Sequence, residues 1–165
     1  MKFLKAVDGY LNKAEGALLI VMLTVMIVLA FAQVVLRNVF SAGFLWADIL
    51  LRHLVLWIGF LGGALGVSHK RHINVDAFTH YMSPKVLSAT SVVTNLFAAG
   101  VCVWLSNAAI RFVKAEISVK SYVYGEIPSW YAELIIPVGF ALFVFHFLVR
   151  AVTALEEFRK KESMA

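Results

Sequence analysis

The segment WADILLRHLVLWIGFLGGALG, residues 46–66, is apolar enough to cross a membrane, yet three ionisable side chains lie in its first half. These are Asp48, Arg52 and His53, and four glycines follow them. A charge at the centre of a bilayer costs roughly 3 kcal/mol on insertion scales, so such residues normally face protein or water. The segment therefore predicts a transmembrane helix with one side against another polypeptide.

A helical projection places the acid, the guanidinium and the glycines on the same side of this helix. At about 100° per residue they fall within an arc of about 100°. This set, the glycine stripe, consists of Asp48, Arg52, Gly59, Gly62, Gly63 and Gly66. Asp48 and Arg52 have the i,i+4 spacing of an ion pair, and small residues let helices approach closely. The stripe predicts a helix interface, either within this chain or with a partner. Trp57 and Phe60 on the other side are expected to face lipid, with a second partner as the alternative.

Hydropathy predicts three further spans in this chain of 165 residues. Hydrophobic residues make up 61% and charged residues 15%, against roughly 25% charged in soluble domains. The spans are expected at about 16–36, 46–68, 84–110 and 130–149, each near the length that a bilayer requires. A short interfacial helix is expected at about 73–83. The predicted fold is an all-α integral membrane protein with a single membrane domain over residues 1–165.

The distribution of basic residues predicts the orientation. Most of the fifteen lysines and arginines lie on the side of the N-terminus, which favours cytoplasmic positions for both termini. Because they flank apolar segments instead of forming one patch, nucleic acid is not expected as a partner. On the outer side, Arg111, Lys114 and Lys120 form either a basic docking patch or a solvated helix extension, with Trp46 and Trp130 as interfacial anchors.

The sequence predicts no enzymatic chemistry and no cofactor. Its one cysteine, Cys102, excludes a disulfide within the chain, and no catalytic or phosphate-binding motif is present. His53 and His146 raise the alternative of a four-helix membrane cytochrome or redox-complex anchor. Their expected depths differ by about 13 Å at 1.5 Å per residue, so one haem iron cannot join them. No metal site is predicted.

Several short elements resemble the small membrane subunit of tripartite ATP-independent periplasmic (TRAP) transporters, the DctQ-like family. They are Arg37 after the first span, Trp46 and Asp48 in Trp-Ala-Asp, the run Leu-Gly-Gly-Ala, and His72 and Asp76 in His-Ile-Asn-Val-Asp. The family commonly has two adjacent acids after the tryptophan. Here Asp48 is followed by Ile49, so only one acid is kept.

The resemblance implies sodium-driven import of organic acids across the bacterial inner membrane. In such systems a periplasmic protein captures the substrate, and a large membrane subunit with an elevator motion carries the transport and sodium sites. The small subunit binds and scaffolds the large one and has no substrate site of its own. Residues 51–67 most resemble the sialic acid systems, which makes sialic acid the expected substrate of the complex.

Overall fold

The residues that the structure describes form a bundle of long helices and a small β-hairpin. The computed structural model describes residues 2–69, 84–120, 122–125 and 127–162. In chain order the elements are α1 (Lys2–Phe40), α2 (Leu45–His69), α3 (Pro84–Val119), β1 (Tyr122–Tyr124), β2 (Ile127–Pro128), α4 (Ser129–Glu133) and α5 (Ile135–Glu162). The two strands pair antiparallel. The interfacial helix expected at about 73–83 lies outside the described residues.

In the part of the chain that the structure describes, four stretches are long and apolar enough to cross a membrane: Ala6–Phe40, Leu45–Ser68, Val86–Val119 and Ser129–Glu156. The predicted fold class, an all-α membrane protein with four transmembrane helices, is therefore confirmed. α1 and α3 contain 39 and 36 residues, or roughly 55 Å each at 1.5 Å per residue, well beyond a hydrocarbon core of about 30 Å. Both helices extend beyond the spans that were predicted from apolar stretches of sequence. A charged residue ends such a stretch, but it does not end the helix.

The helices pack in the order α1, α2, α5, α3 across the bundle. α1 packs mainly on α2, α2 on α5, and α5 most extensively on α3. α2 and α3 share little direct contact, so they diverge on either side of α5. α4 is separated from α5 by Leu134, near Pro137, which has no N–H to donate to the carbonyl four residues earlier.

The contact between α2 and α5 is aromatic and close. Phe60 lies against the backbone of Gly139, where no side chain would fit, and its ring meets that of Phe140 edge-on at 5.3 Å. Trp57 donates through Nε1 to the carbonyl oxygen of Ala132 at 2.8 Å. The expectation that Trp57 and Phe60 face lipid is wrong. A helical projection shows which residues share a side, but it does not show where the neighbouring helix lies.

Candidate functional site

The end of α1 is joined to the start of α2 by a polar cluster around Asp48. Arg37 forms an ion pair with Asp48, and Gln33 Nε2 donates to Asp48 Oδ1 at 3.2 Å. The buried Gln33 amide also donates to the carbonyl oxygen of Phe44 at 2.7 Å and accepts from its backbone N–H at 3.1 Å. These bonds hold the loop between the two helices in one conformation.

This cluster corrects the expected pairing of Asp48 with Arg52. Among the residues that the structure describes, Asp48 bonds to Gln33 and Arg37, and no bond joins it to Arg52. Arg37 lies in the last turn of α1 and Asp48 in the first turn of α2, where each charge opposes its helix dipole. The i,i+4 spacing permits the Arg52 pair, but the neighbouring helix supplies the better partner.

The two inner glycines of the glycine stripe pack within the chain. A Cβ added to Gly62 would lie 3.3 Å from Cδ1 of Leu19 on α1, and one added to Gly63 would lie 2.8 Å from Cζ of Phe143 on α5. A Cβ at Gly63 would require the Phe143 ring to move, and a Cβ at Gly62 would make a tight contact with Leu19. This part of the stripe is therefore internal packing.

The other two glycines of the stripe are open. Gly59 and Gly66 are exposed, and nothing in the described part of the chain comes within 4 Å of an added Cβ at either position. Arg52 and Val55 are exposed on the same side, within an arc of about 60° by helical geometry. We call Arg52, Val55, Gly59 and Gly66 the open lane; α1 and α5 border it, because Gly62 and Gly63 face them.

A buried ionic link joins α1 to α5. His146, with none of its surface exposed, places Nδ1 3.0 Å from Oδ1 of Asp8 and Nε2 3.2 Å from Oε1 of Glu15. Each ring nitrogen therefore lies within hydrogen-bonding distance of a carboxylate oxygen of α1. The sequence reasoning missed this link. The available signal was the seven-residue spacing of Asp8 and Glu15, which puts them on one side of α1.

The same link contradicts haem ligation by His146, because both ring nitrogens are already engaged. His53 lies elsewhere, with Nδ1 2.7 Å from the carbonyl oxygen of Ile49 in its own helix. Within the described residues, no group of three or more His, Cys, Asp or Glu side chains is arranged to hold a metal ion.

Two of the three residues of the expected basic patch share one face of α3. Arg111 and Lys114 are exposed on α3, and their i,i+3 spacing places them on neighbouring positions of one face. Lys120 follows the end of α3, with a left-handed φ of 52°. Of the resemblance motif, Trp46 is exposed and its ring lies 5.8 Å from that of Phe44, while His72 and Asp76 lie outside the described residues.

Comparison with known proteins finds a transporter family. Residues 26–157 match the family described as tripartite ATP-independent periplasmic transporters, DctQ component. The chain is 33% identical over 106 residues to the C4-dicarboxylate TRAP transporter small permease protein DctQ of Pseudomonas aeruginosa, covering 62% of this chain and 50% of that protein. It is 28% identical over 99 residues to a putative TRAP transporter small permease protein of Haemophilus influenzae, covering 60% of this chain and 62% of that protein.

A third similarity is to a longer protein. The sialic acid TRAP transporter permease protein SiaT of Haemophilus influenzae is 30% identical over 100 residues, which cover 58% of this chain and 15% of SiaT. In the two small permease proteins the match spans between about half and two thirds of the relative's length.

Proposed function

The chain belongs to the DctQ component family of TRAP transporters, and from this premise we propose that it binds and scaffolds a large transport subunit. It is a multi-pass protein of the bacterial inner membrane and a small permease component, not an enzyme. The resemblance of its short motifs to this family is thereby confirmed. The proposed partner is an elevator-type membrane subunit that carries the substrate and sodium sites.

The open lane is the observation that carries the proposal. Two exposed glycines in a transmembrane helix leave its backbone accessible. Contact with lipid chains does not require such a surface, whereas close helix packing does. Another helix can approach closely there, while Gly62 and Gly63 are occupied inside the chain. The proposed partner interface is therefore the part of the stripe formed by Arg52, Gly59 and Gly66, with Val55 between them.

The similarity to SiaT supports a larger partner. The match covers only 15% of that permease protein, so most of SiaT has no counterpart in this chain. A chain of 165 residues that resembles a small part of a permease is expected to function beside a larger one. The lipid bilayer supplies its remaining surroundings.

Organic acids are the substrates that we propose for the complex, with a sodium gradient as the driving force. The names of two relatives refer to C4-dicarboxylates and to sialic acid, which are all carboxylates. Sialic acid is the narrower proposal, supported by the resemblance of residues 51–67. Uptake of labelled sialic acid and succinate into vesicles, with and without an imposed sodium gradient, distinguishes the two substrates and tests the driving force.

A transient periplasmic partner completes the proposed assembly. With both termini in the cytoplasm, the exposed Arg111 and Lys114 lie on the periplasmic side and present positive charge. A soluble substrate-binding protein with an acidic surface would be attracted to that face, and such attraction mainly increases the association rate.

Co-purification tests the scaffold directly. Gly59→Leu and Gly66→Leu fill the open lane, so each is expected to reduce the yield of the large subunit recovered with the tagged chain. Gly100→Leu is the matched control, because Gly100 is an exposed glycine of α3 with open space around it. Equal recovery of the large subunit with all three variants and the wild type would show that the lane is not the interface.

A further inference from the structure

A cleft lies where α2 and α3 diverge above α4 and the start of α5. Its volume is about 620 Å³. Half of the residues that line it are apolar and half are polar: Leu56, Phe112 and Ile136 are among the first, and Arg52, His53 and Glu133 are among the second. The cleft is at the end of the bundle that carries Trp46 and Trp130.

The carboxyl group of Glu133 is incompletely hydrogen-bonded in the described structure. Its Oε2 atom is buried and has no hydrogen-bond partner among the described residues. Glu116 and His53 are the ionisable neighbours that act on this carboxyl group, and Glu116 is itself acidic. A buried carboxylate oxygen without a donor is unfavourable. The position therefore suits a ligand that brings a positively charged N–H donor.

Arg52 contributes a positive charge to the cleft, which favours an anionic group in the ligand. Its guanidinium is exposed and forms no bond to Asp48 in the described structure, because Arg37 and Gln33 are the partners of that acid. A guanidinium is the side chain best suited to hold a phosphate through paired hydrogen bonds. The fitting ligand thus has a phosphate and a cationic donor close together.

Depth in the membrane identifies the source of such a ligand. Arg52 follows Trp46 by about 9 Å along α2 at 1.5 Å per residue, and its long side chain can extend back towards the interface. Tryptophans mark the headgroup level, so the charged groups of the cleft lie at the boundary of headgroups and acyl chains. The apolar walls match the first carbons of the chains.

From these contacts we propose that the cleft binds the headgroup of a zwitterionic phospholipid with a primary ammonium group. Its phosphate binds Arg52 and its ammonium donates to Glu133. A quaternary ammonium carries no N–H and cannot donate to the Glu133 carboxylate, so the site distinguishes phosphatidylethanolamine from phosphatidylcholine. The proposal is independent of the substrate that the complex transports, but it shares Arg52 with the interface proposed for the large subunit, so it is tested on the purified chain alone.

The test is native mass spectrometry of the purified chain with phosphatidylethanolamine, phosphatidylcholine and phosphatidylglycerol of identical acyl chains. The wild type is expected to retain phosphatidylethanolamine about tenfold more than phosphatidylcholine, the effect of one hydrogen bond to a charged group. Glu133→Gln keeps the shape of the side chain and should abolish that preference. Arg52→Gln should weaken retention of all three lipids. Arg111→Gln and Glu156→Gln, which lie outside the cleft, should change neither result.

Three results would overturn the proposal. One is equal retention of phosphatidylethanolamine and phosphatidylcholine by the wild type, a comparison that needs no variant to fold. Another is preferential retention of phosphatidylglycerol, which would show attraction to Arg52 alone. The third is a Glu133→Gln variant that loses the large subunit while its lipid preference is unchanged, since the cleft would then be a protein contact.

Discussion

The imidazole of His146 on α5 lies 3.2 Å from the carboxylate of Glu15 on α1, 131 residues earlier in the chain. α1 needs such a contact, because only 6% of its most apolar window is buried inside the structure. At its other end, Arg37 pairs with Asp48 of α2. Apolar packing has little directional preference in lipid, so two polar connections fix where α1 lies against the bundle.

Removal of the imidazole is expected to destabilise the protein strongly. His146→Ala leaves Glu15 buried without its cation, and breaking a buried ion pair by removing one partner costs about 3–5 kcal/mol. The measurement is unfolding of the purified chain in detergent micelles. His53→Ala is the matched control, because that ring bonds only to its own helix in the described structure.

The double variant separates the ionic link from simple packing. Glu15→Gln removes the uncompensated charge, so His146→Ala combined with Glu15→Gln should lose less stability than the sum of the two single variants. Additive losses would mean that the two side chains do not interact, contrary to the observed geometry.

Substitutions in the glycine stripe are expected to fall into two classes by their effect on the free energy of unfolding. Gly63→Leu places a side chain against the ring of Phe143, and such overpacking typically costs about 1–3 kcal/mol. Gly59→Leu points into open space and should leave the isolated chain as stable as the wild type. Both are measured by unfolding in micelles without the partner. Equal destabilisation by the two substitutions would place Gly59 in an internal contact.

Gln33 is expected to matter more than the ion pair beside it. The Arg37 side chain is 58% exposed, so Arg37→Gln should cost at most about 1 kcal/mol. Gln33→Leu leaves both backbone groups of Phe44 without their partner, at about 1–3 kcal/mol for each group that stays buried. Unfolding in micelles and the rate of proteolysis at residues 41–44 measure both effects.

Arg52→Gln is the control for this loop, because Arg52 is not a partner of Asp48 in the structure. A loss of loop protection in Arg52→Gln as large as that in Gln33→Leu would restore the pairing that the i,i+4 spacing suggested.

Charge reversal on α3 tests the proposed docking face. Arg111→Glu with Lys114→Glu should lower the rate of substrate uptake at limiting binding protein, with the deficit shrinking as salt increases, because screening weakens long-range attraction. Lys13→Glu changes an exposed lysine near the N-terminus and should leave uptake unchanged. Unchanged uptake in the double variant would identify Arg111 and Lys114 as a merely solvated face.

The local features of this protein follow from its sequence. Predominantly apolar runs of bilayer length predict four spans whatever their neighbours are, because the cost of exposing backbone to lipid forces each run to be helical. The grouping of Asp48, Arg52 and the glycines on one side of α2 is likewise a property of the helix alone. Short motifs such as Trp46-Ala47-Asp48 indicated a resemblance to the family, which the match over residues 26–157 confirms.

The partners of those residues were decided only by the tertiary structure. The i,i+4 spacing permitted Asp48 to pair with Arg52. In the structure, the packing of α1 on α2 brings Arg37 to Asp48, and these two residues form the ion pair. Gly62 packs against α1 and Gly63 packs against α5, because the stripe covers a wider arc of α2 than one neighbouring helix can contact. His146 met Asp8 and Glu15 across most of the chain. Helical periodicity fixes directions around one axis, whereas the choice among neighbours depends on the relative free energies of whole packings, which no single segment contains.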